Sequence, residues 1–140
     1  MNTLIIYPPT LVSARHQGPV VVGETVGNNF VTENILAVGS NCAVFSAKPK
    51  GQPQAASVAL KISDEKVGQT ALATEATVLQ SVMDNKHFVK IIEFGHHRQF
   101  NYIVTYLLGP SLRDLALRQS PYTLSLKTLL KFAYQAIESL

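Results

Sequence analysis

The sequence predicts an α+β fold: a five-stranded antiparallel sheet with one packed helix, followed by two C-terminal helices. Three observations predict it. β-prone runs bounded by Gly, Pro and Asn recur between Val20 and Leu107. One stretch inside that region, Thr70 to Met83, has apolar residues at three- and four-residue steps instead. Beyond Gly109-Pro110 the helical spacing returns and stays.

The strands come in chain order. Val31 to Ile35 and Ala43 to Ala47 read as a hairpin across the small tip Gly39-Ser40-Asn41, and Lys48 to Pro53 is a turn by composition. Ser57 to Ile62 is the third strand. The helix over Thr70 to Met83 places Leu72, Glu75, Val78, Leu79 and Val82 on one face and stops at Asn85-Lys86-His87. Strands four and five are Phe88 to Phe94 and Tyr102 to Leu107, joined by a polar tip, Gly95 to Gln99. A short helix fits Leu112 to Arg118. A longer one fits Ser125 to Leu140, with Leu126, Leu129, Leu130, Ala133, Ile137 and Leu140 forming an apolar stripe.

At 140 residues the chain suits one domain with a real core. Residues 1–20 contain Pro8, Pro9 and Pro19 without periodicity and read as a flexible leader; 21–108 form the sheet domain, and 109–140 the helical continuation. Hydrophobic residues are 46% and charged residues 15%, so some apolar surface expects a cover, and the stripe on 125–140 is the candidate for a protein partner. The net charge of +3 comes from scattered residues, which argues against nucleic acid. No stretch approaches the roughly 20 apolar residues of a membrane span. Cys42 is the only cysteine, which suits an intracellular chain, cytoplasmic or nuclear; it reads as a small apolar filler. His96-His97 reads as part of the polar tip rather than a metal site, and no metal ligands are assigned.

The chemistry is concentrated in a few residues. Val58-Ala59-Leu60-Lys61 has a V-A-x-K form on the third predicted strand, 22 residues after Gly39. Glu75 lies 14 residues beyond Lys61 on the inward face of the helix, where a carboxylate would hold that cation. The run from Tyr102 to Leu115 contains L-L-G-P-S-L-x-D-L. Together these resemble a protein kinase domain of the casein kinase 1 and tau-tubulin kinase group, over about residues 20 to 140, including Val22 to Gly27.

That resemblance implies a serine/threonine kinase N-terminal lobe that binds ATP. Lys61 and Glu75 would form the phosphate anchor, with Val44 and Ala59 sandwiching the adenine. Thr105 would guard the back of the pocket, the Tyr106 carbonyl and Leu108 amide would meet the adenine edge, and Asp114 would reach the ribose. Leu79 and Ile91 would stand in an apolar column behind Glu75. Against the G-x-G-x-x-G phosphate loop the sequence offers Ala37-Val38-Gly39-Ser40-Asn41-Cys42, so only the middle glycine is kept and ATP is expected to be held weakly. No H-R-D catalytic loop or D-F-G metal loop is present in place; His97-Arg98-Gln99 and Glu93-Phe94-Gly95 fall elsewhere. The resemblance therefore assigns no catalytic residue, implies Mg only where the missing loops are supplied, and predicts no phosphoryl transfer by this chain alone. Two other functions compete: a kinase-derived, non-catalytic binding or scaffold module, and a small α+β adaptor unrelated to kinases.

Overall fold

A computed structural model describes residues 20–64, 69–119, 121 and 123–140. The leader expected over 1–20 falls outside the described residues except for Val20, which is buried and belongs to the core. The elements run β1 (Thr25–Val26), β2 (Phe30–Val38), β3 (Cys42–Pro49), β4 (Val58–Asp64), α1 (Gln69–Ser81), β5 (Ile91–His97), β6 (Phe100–Tyr106), α2 (Leu112–Leu117) and α3 (Leu126–Glu138). The strands form one antiparallel sheet in the order β1-β2-β3-β4-β6-β5.

The sheet therefore has six strands rather than five. The extra one, β1, has two residues and pairs with β2 through a tight turn in which Gly27 and Asn28 have φ of 60° and 70°. The Asn29 N–H donates to the Val26 carbonyl at 3.2 Å, closing a type I′ turn, which suits a hairpin because its twist matches that of the strands. Two residues of β-structure are too short to leave a readable alternation.

A second correction concerns the fourth predicted strand. Phe88, Val89 and Lys90 precede β5, because Asn85 folds the chain into a local turn, its side-chain Oδ1 accepting from the His87 N–H at 2.9 Å. At the other end β5 runs through His97, so the connection to β6 is only Arg98-Gln99, with Arg98 at φ 55°. The broad polar tip expected over Gly95 to Gln99 is mostly strand.

Register shifts between Thr32 and Asn34 and between Ile35 and Ala37 mark two bulges in β2, each bending and twisting the strand. One face of the sheet carries the main core: Val26, Phe30, Ala43, Phe45, Ala47, Val58, Leu60, Ile62, Tyr102 and Val104 are all buried there with Val20. The other face receives α1 through Leu72, Ala76 and Ile103, with Ile91 packed against them. Val78, expected on the inward face of this helix, is instead 53% exposed, and Ala76 takes the buried position. Leu79 is half-buried and stands outside the packed cluster.

A polar seam ties the outermost strands together. Glu24 Oε1 meets His97 Nε2 at 2.9 Å and Arg98 at 2.8 Å, while Asn29 donates to Glu93 at 2.9 Å. The Gly27 N–H donates to His97 Nδ1 at 3.4 Å, which leaves the proton on Nε2 to be donated to Glu24. Burial pushes the Glu24 carboxyl up, but the hydrogen bonds from His97 and the Val21 N–H and the Arg98 charge outweigh it and hold its pKa below the ordinary value.

Tyr102 sits at the centre of the seam, donating to Glu93 at 2.5 Å. Gly95 is glycine for space, since a Cβ there would lie 2.8 Å from the Tyr102 hydroxyl oxygen, and a Cβ at Gly27 would overlap that same hydroxyl. Burial, then the hydrogen bond to Glu93 and its charge, push the Tyr102 pKa to about 12. A raised pKa favours the protonated folded state, so this contribution is complete below pH ~10 and is lost as pH rises through about 12. Chemical denaturation across that range is expected to show stability falling in the wild type and a shallower fall in Tyr102→Phe; parallel slopes would contradict it.

Helix α3 leans on the rest of the protein through polar contacts. Glu138 accepts from Lys86 at 2.7 Å and meets His87 Nε2 at 2.9 Å, in the turn after α1. The Lys86 hydrogen bond leads the effects that depress the Glu138 pKa, with burial opposing it. The predicted stripe stays open: Leu126 and Ile137 are each 72% exposed, and no residue of α3 is buried. No described helix is long and apolar enough to cross a membrane.

Candidate functional site

Partners directly opposite in an antiparallel pair project to the same face. Val44 is registered with Lys61, and Lys61 with Ile103; Ser46 is registered with Ala59, and Ala59 with Thr105. The buried positions Leu60 and Ile62 alternate with these toward the main core. Val44, Ala59, Lys61 and Thr105 therefore share the face on which Ile103 receives α1. The second bulge in β2 sets Ala37 opposite Val44, adding it to this patch. Ala37, Ser46 and Ile103 have no motif that marks them in the sequence; their place follows from register.

Glu75 projects from α1 to the same patch. Its Oε2 accepts from Lys61 Nζ at 2.5 Å, the ion pair expected from the V-A-x-K strand and the placing of Glu75 on the inward helical face. The two side chains keep 32% and 40% of their surface in contact with solvent, which decides how the pair should be understood. Ion pairs this wet contribute on the order of 0 to 1 kcal/mol, so the contact orients a cation far more than it stabilises the fold. An ammonium fixed on a sheet face, beside small and apolar neighbours, is suited to an anionic ligand with a flat apolar part.

Gly39 sits where the β2–β3 hairpin closes. Its N–H donates to the Cys42 carbonyl at 2.7 Å, and Ser40-Asn41 form the tip. A Cβ at Gly39 would come 3.0 Å from Cys42 Sγ, so the glycine answers a packing need as well as any need for backbone approach. The tip is anchored to β4, as the Asn41 carbonyl accepts from the Asp64 N–H and the Ser63 hydroxyl, each at 3.2 Å.

At the far end of β6 the chain leaves the sheet. Tyr106 pairs with Val58, and its carbonyl receives a long 3.4 Å contact from the Thr105 hydroxyl. Leu108 is largely exposed, and among the described residues no backbone carbonyl accepts its N–H. Asp114 lies in the first turn of α2 in a capping box with Ser111, an arrangement the sequence reading did not anticipate. The Ser111 hydrogen bonds lower the Asp114 pKa, desolvation opposes them, and the Arg118 and Arg113 charges add to the lowering. A shallow cavity lies elsewhere, lined by Lys86, His87, Tyr134, Gln135 and Glu138. It shares no residue with the sheet patch, and its Lys86 and His87 are each already paired with Glu138.

The family model for protein tyrosine and serine/threonine kinases matches residues 30–140. The chain belongs to the protein kinase family. The match begins at Phe30, the first residue of β2, so the short β1 stands ahead of it. The kinase chain is 29% identical over 104 residues to a Caenorhabditis elegans protein named, by inference, a serine/threonine-protein kinase; the match covers 72% of this chain and 29% of that protein. A Dictyostelium discoideum protein with the same kind of name is 31% identical over 83 residues, covering 59% of this chain and 17% of its own length. This chain thus spans less than a third of the curated relatives it matches. A crystal structure titled as a kinase domain superposes with a TM-score of 0.61 at 19% identity, over 74% of this chain and 31% of that one. At that identity the likeness concerns the fold, and the fold it supports is the sheet-and-helix lobe of a kinase.

Proposed function

We propose that this chain is the ATP-binding portion of a serine/threonine protein kinase domain of the casein kinase 1 group. The observation that carries the reading is the Lys61–Glu75 ion pair standing on the same sheet face as Val44, Ala59 and Thr105. In this reading Lys61 neutralises nucleotide phosphates and Glu75 keeps it aimed. Val44 and Ala59 cover the adenine, and Thr105 closes the back. The Tyr106 carbonyl and Leu108 N–H pair with the adenine edge, Asp114 accepts from the ribose, and the backbone at Gly39 approaches the phosphates. The L-L-G-P-S-L-x-D-L run ending at Leu115 supports the group assignment.

Bound ATP would supply the transferable phosphoryl group, and Mg would join it only with metal ligands beyond those of this chain. The residues present bind and orient. The sequence has no H-R-D or D-F-G loop in place, so this chain by itself has neither the proton acceptor nor the metal ligands of phosphoryl transfer. Equilibrium dialysis against γ-labelled ATP is expected to show saturable binding in the micromolar to millimolar range, with no label passed to an added acceptor protein. No saturable binding would overturn the ATP reading; label on the acceptor would overturn the non-catalytic one.

A second reading, a kinase-derived binding module, is favoured by one observation: the open stripe of Leu126, Leu130 and Ile137 on α3. It would be preferred if the dialysis shows no nucleotide bound to a folded chain.

A further inference from the structure

We propose that residues 20–29 form a releasable strap over the helix-free face of the sheet, with the Glu24 carboxylate as its catch. The inference stands apart from the ATP reading, because the Lys61 patch lies on the opposite face.

The main core needs a cover that the helices do not give. None of its residues belongs to a helix, whereas α1 packs on the other face through Leu72 and Ala76. The strap supplies two members of that core, Val20 and Val26, which are 4% and 0% exposed. It also stands ahead of Phe30, where the kinase family match begins, so it is an addition to the matched residues rather than one of their elements.

Two unlike attachments hold the strap. On the β2 side they are mostly backbone: the Gly23 N–H donates to the Thr32 carbonyl at 2.8 Å, and the Thr32 N–H to the Glu24 carbonyl at 3.0 Å. The Thr32 hydroxyl adds a bond to the Val21 carbonyl at 2.7 Å. Toward β5 there is no ladder, since β1 and β5 stand at opposite ends of the strand order, and each hydrogen bond across the gap uses a side chain. Glu24 spans that gap, with its backbone on β2 and its Oε1 on His97 and Arg98, while Oε2 accepts from the Val21 N–H at 3.1 Å. The groups that meet the carboxylate in these contacts are all donors, so an amide in its place would set N–H against N–H. Arg98 reaches Glu24 from a left-handed φ of 55°, a conformation that costs a non-glycine residue energy. The remaining tie, Asn29 to Glu93, is uncharged on the strap side, and Glu93 is already shared with Tyr102.

Local opening follows the most weakly paired unit of a structure. With the catch broken, the strap can lift from β5 while the long ladders of β2 to β6 stay paired. Lifting withdraws Val20 and Val26 and bares the apolar face beneath them.

Amide hydrogen exchange on the full chain, read by NMR at neutral pH, tests this. In wild type the Gly23 and Thr32 amides are expected to be less protected than those of Leu60 and Ile62 in the central strand β4. Glu24→Gln should lower protection at Gly23 and Thr32 by about 10-fold, the loss of a charge-assisted hydrogen bond, and leave Leu60 and Ile62 within about 2-fold. Arg98→Gly relaxes the turn and removes one donor, and should lower the same two amides by about 3-fold. Unchanged protection at Gly23 and Thr32 in Glu24→Gln, or a gain there in Arg98→Gly, would show that the carboxylate is no catch and overturn the inference. Equal loss at all four amides would overturn it as well, because the strap would then open only with the whole sheet.

Discussion

Lys61→Ala is expected to weaken ATP binding by about 10- to 100-fold, the loss of a charged partner to phosphate worth roughly 1.5 to 3 kcal/mol. The same substitution should scarcely alter the melting temperature. Lys61 is one third exposed and its partner Glu75 somewhat more, so the carboxylate left behind remains in contact with water rather than stranded in the core. The two readouts separate a ligand anchor from a structural ion pair. An unchanged Kd would show that the Lys61–Glu75 contact is only an adornment of the sheet. A fall in stability of several kcal/mol would show that the pair serves the fold rather than a ligand. Glu75→Gln is the milder counterpart, since it keeps a hydrogen-bond acceptor for Lys61 and removes the charge.

Phe45→Ala should be the most damaging single truncation to the fold, at about 3 to 5 kcal/mol. Phe45 is 1% exposed and stands in the central part of the main core, cross-strand from Leu60, which is itself fully buried. Its neighbours in sequence, Val44 and Ser46, point to the opposite face, so the loss would spread into the nucleotide patch through β3. Urea denaturation should show the midpoint falling with the slope unchanged. A loss below about 1 kcal/mol would mean that the core collapses around the gap far better than a sheet this closely paired allows.

Much of this architecture was legible because the relevant signals are local. The change of period at Thr70 to Met83 located α1, and the Gly39 tip located the first long hairpin, each within a few residues. The Lys61–Glu75 pair was legible because both its spacing and its chemistry are carried by single residues. What stayed hidden depends on register or on distant partners. β1 is too short to alternate, and the bulges that set Ala37 beside Val44 leave no compositional mark. His97 reads as part of a polar tip until the structure places it 2.9 Å from Glu24, 73 residues away. Val78 satisfied the helical spacing and still turned outward, since the spacing cannot say whether Ala76 or Val78 meets Ile103. The Ser111–Asp114 box does carry a local mark, a serine three residues before an aspartate at a helix start, separate from the ribose role that the resemblance implies for Asp114.

The most direct test of the central claim is a backbone-amide NMR titration of the full chain with ATP. Shifts are expected to cluster at Gly39, Val44, Ala59, Lys61, Thr105, Leu108 and Asp114, with Glu75 responding through Lys61. Shifts confined to Lys86, His87 and Glu138, or the absence of any saturable shift, would contradict the assignment of this sheet face as the nucleotide site.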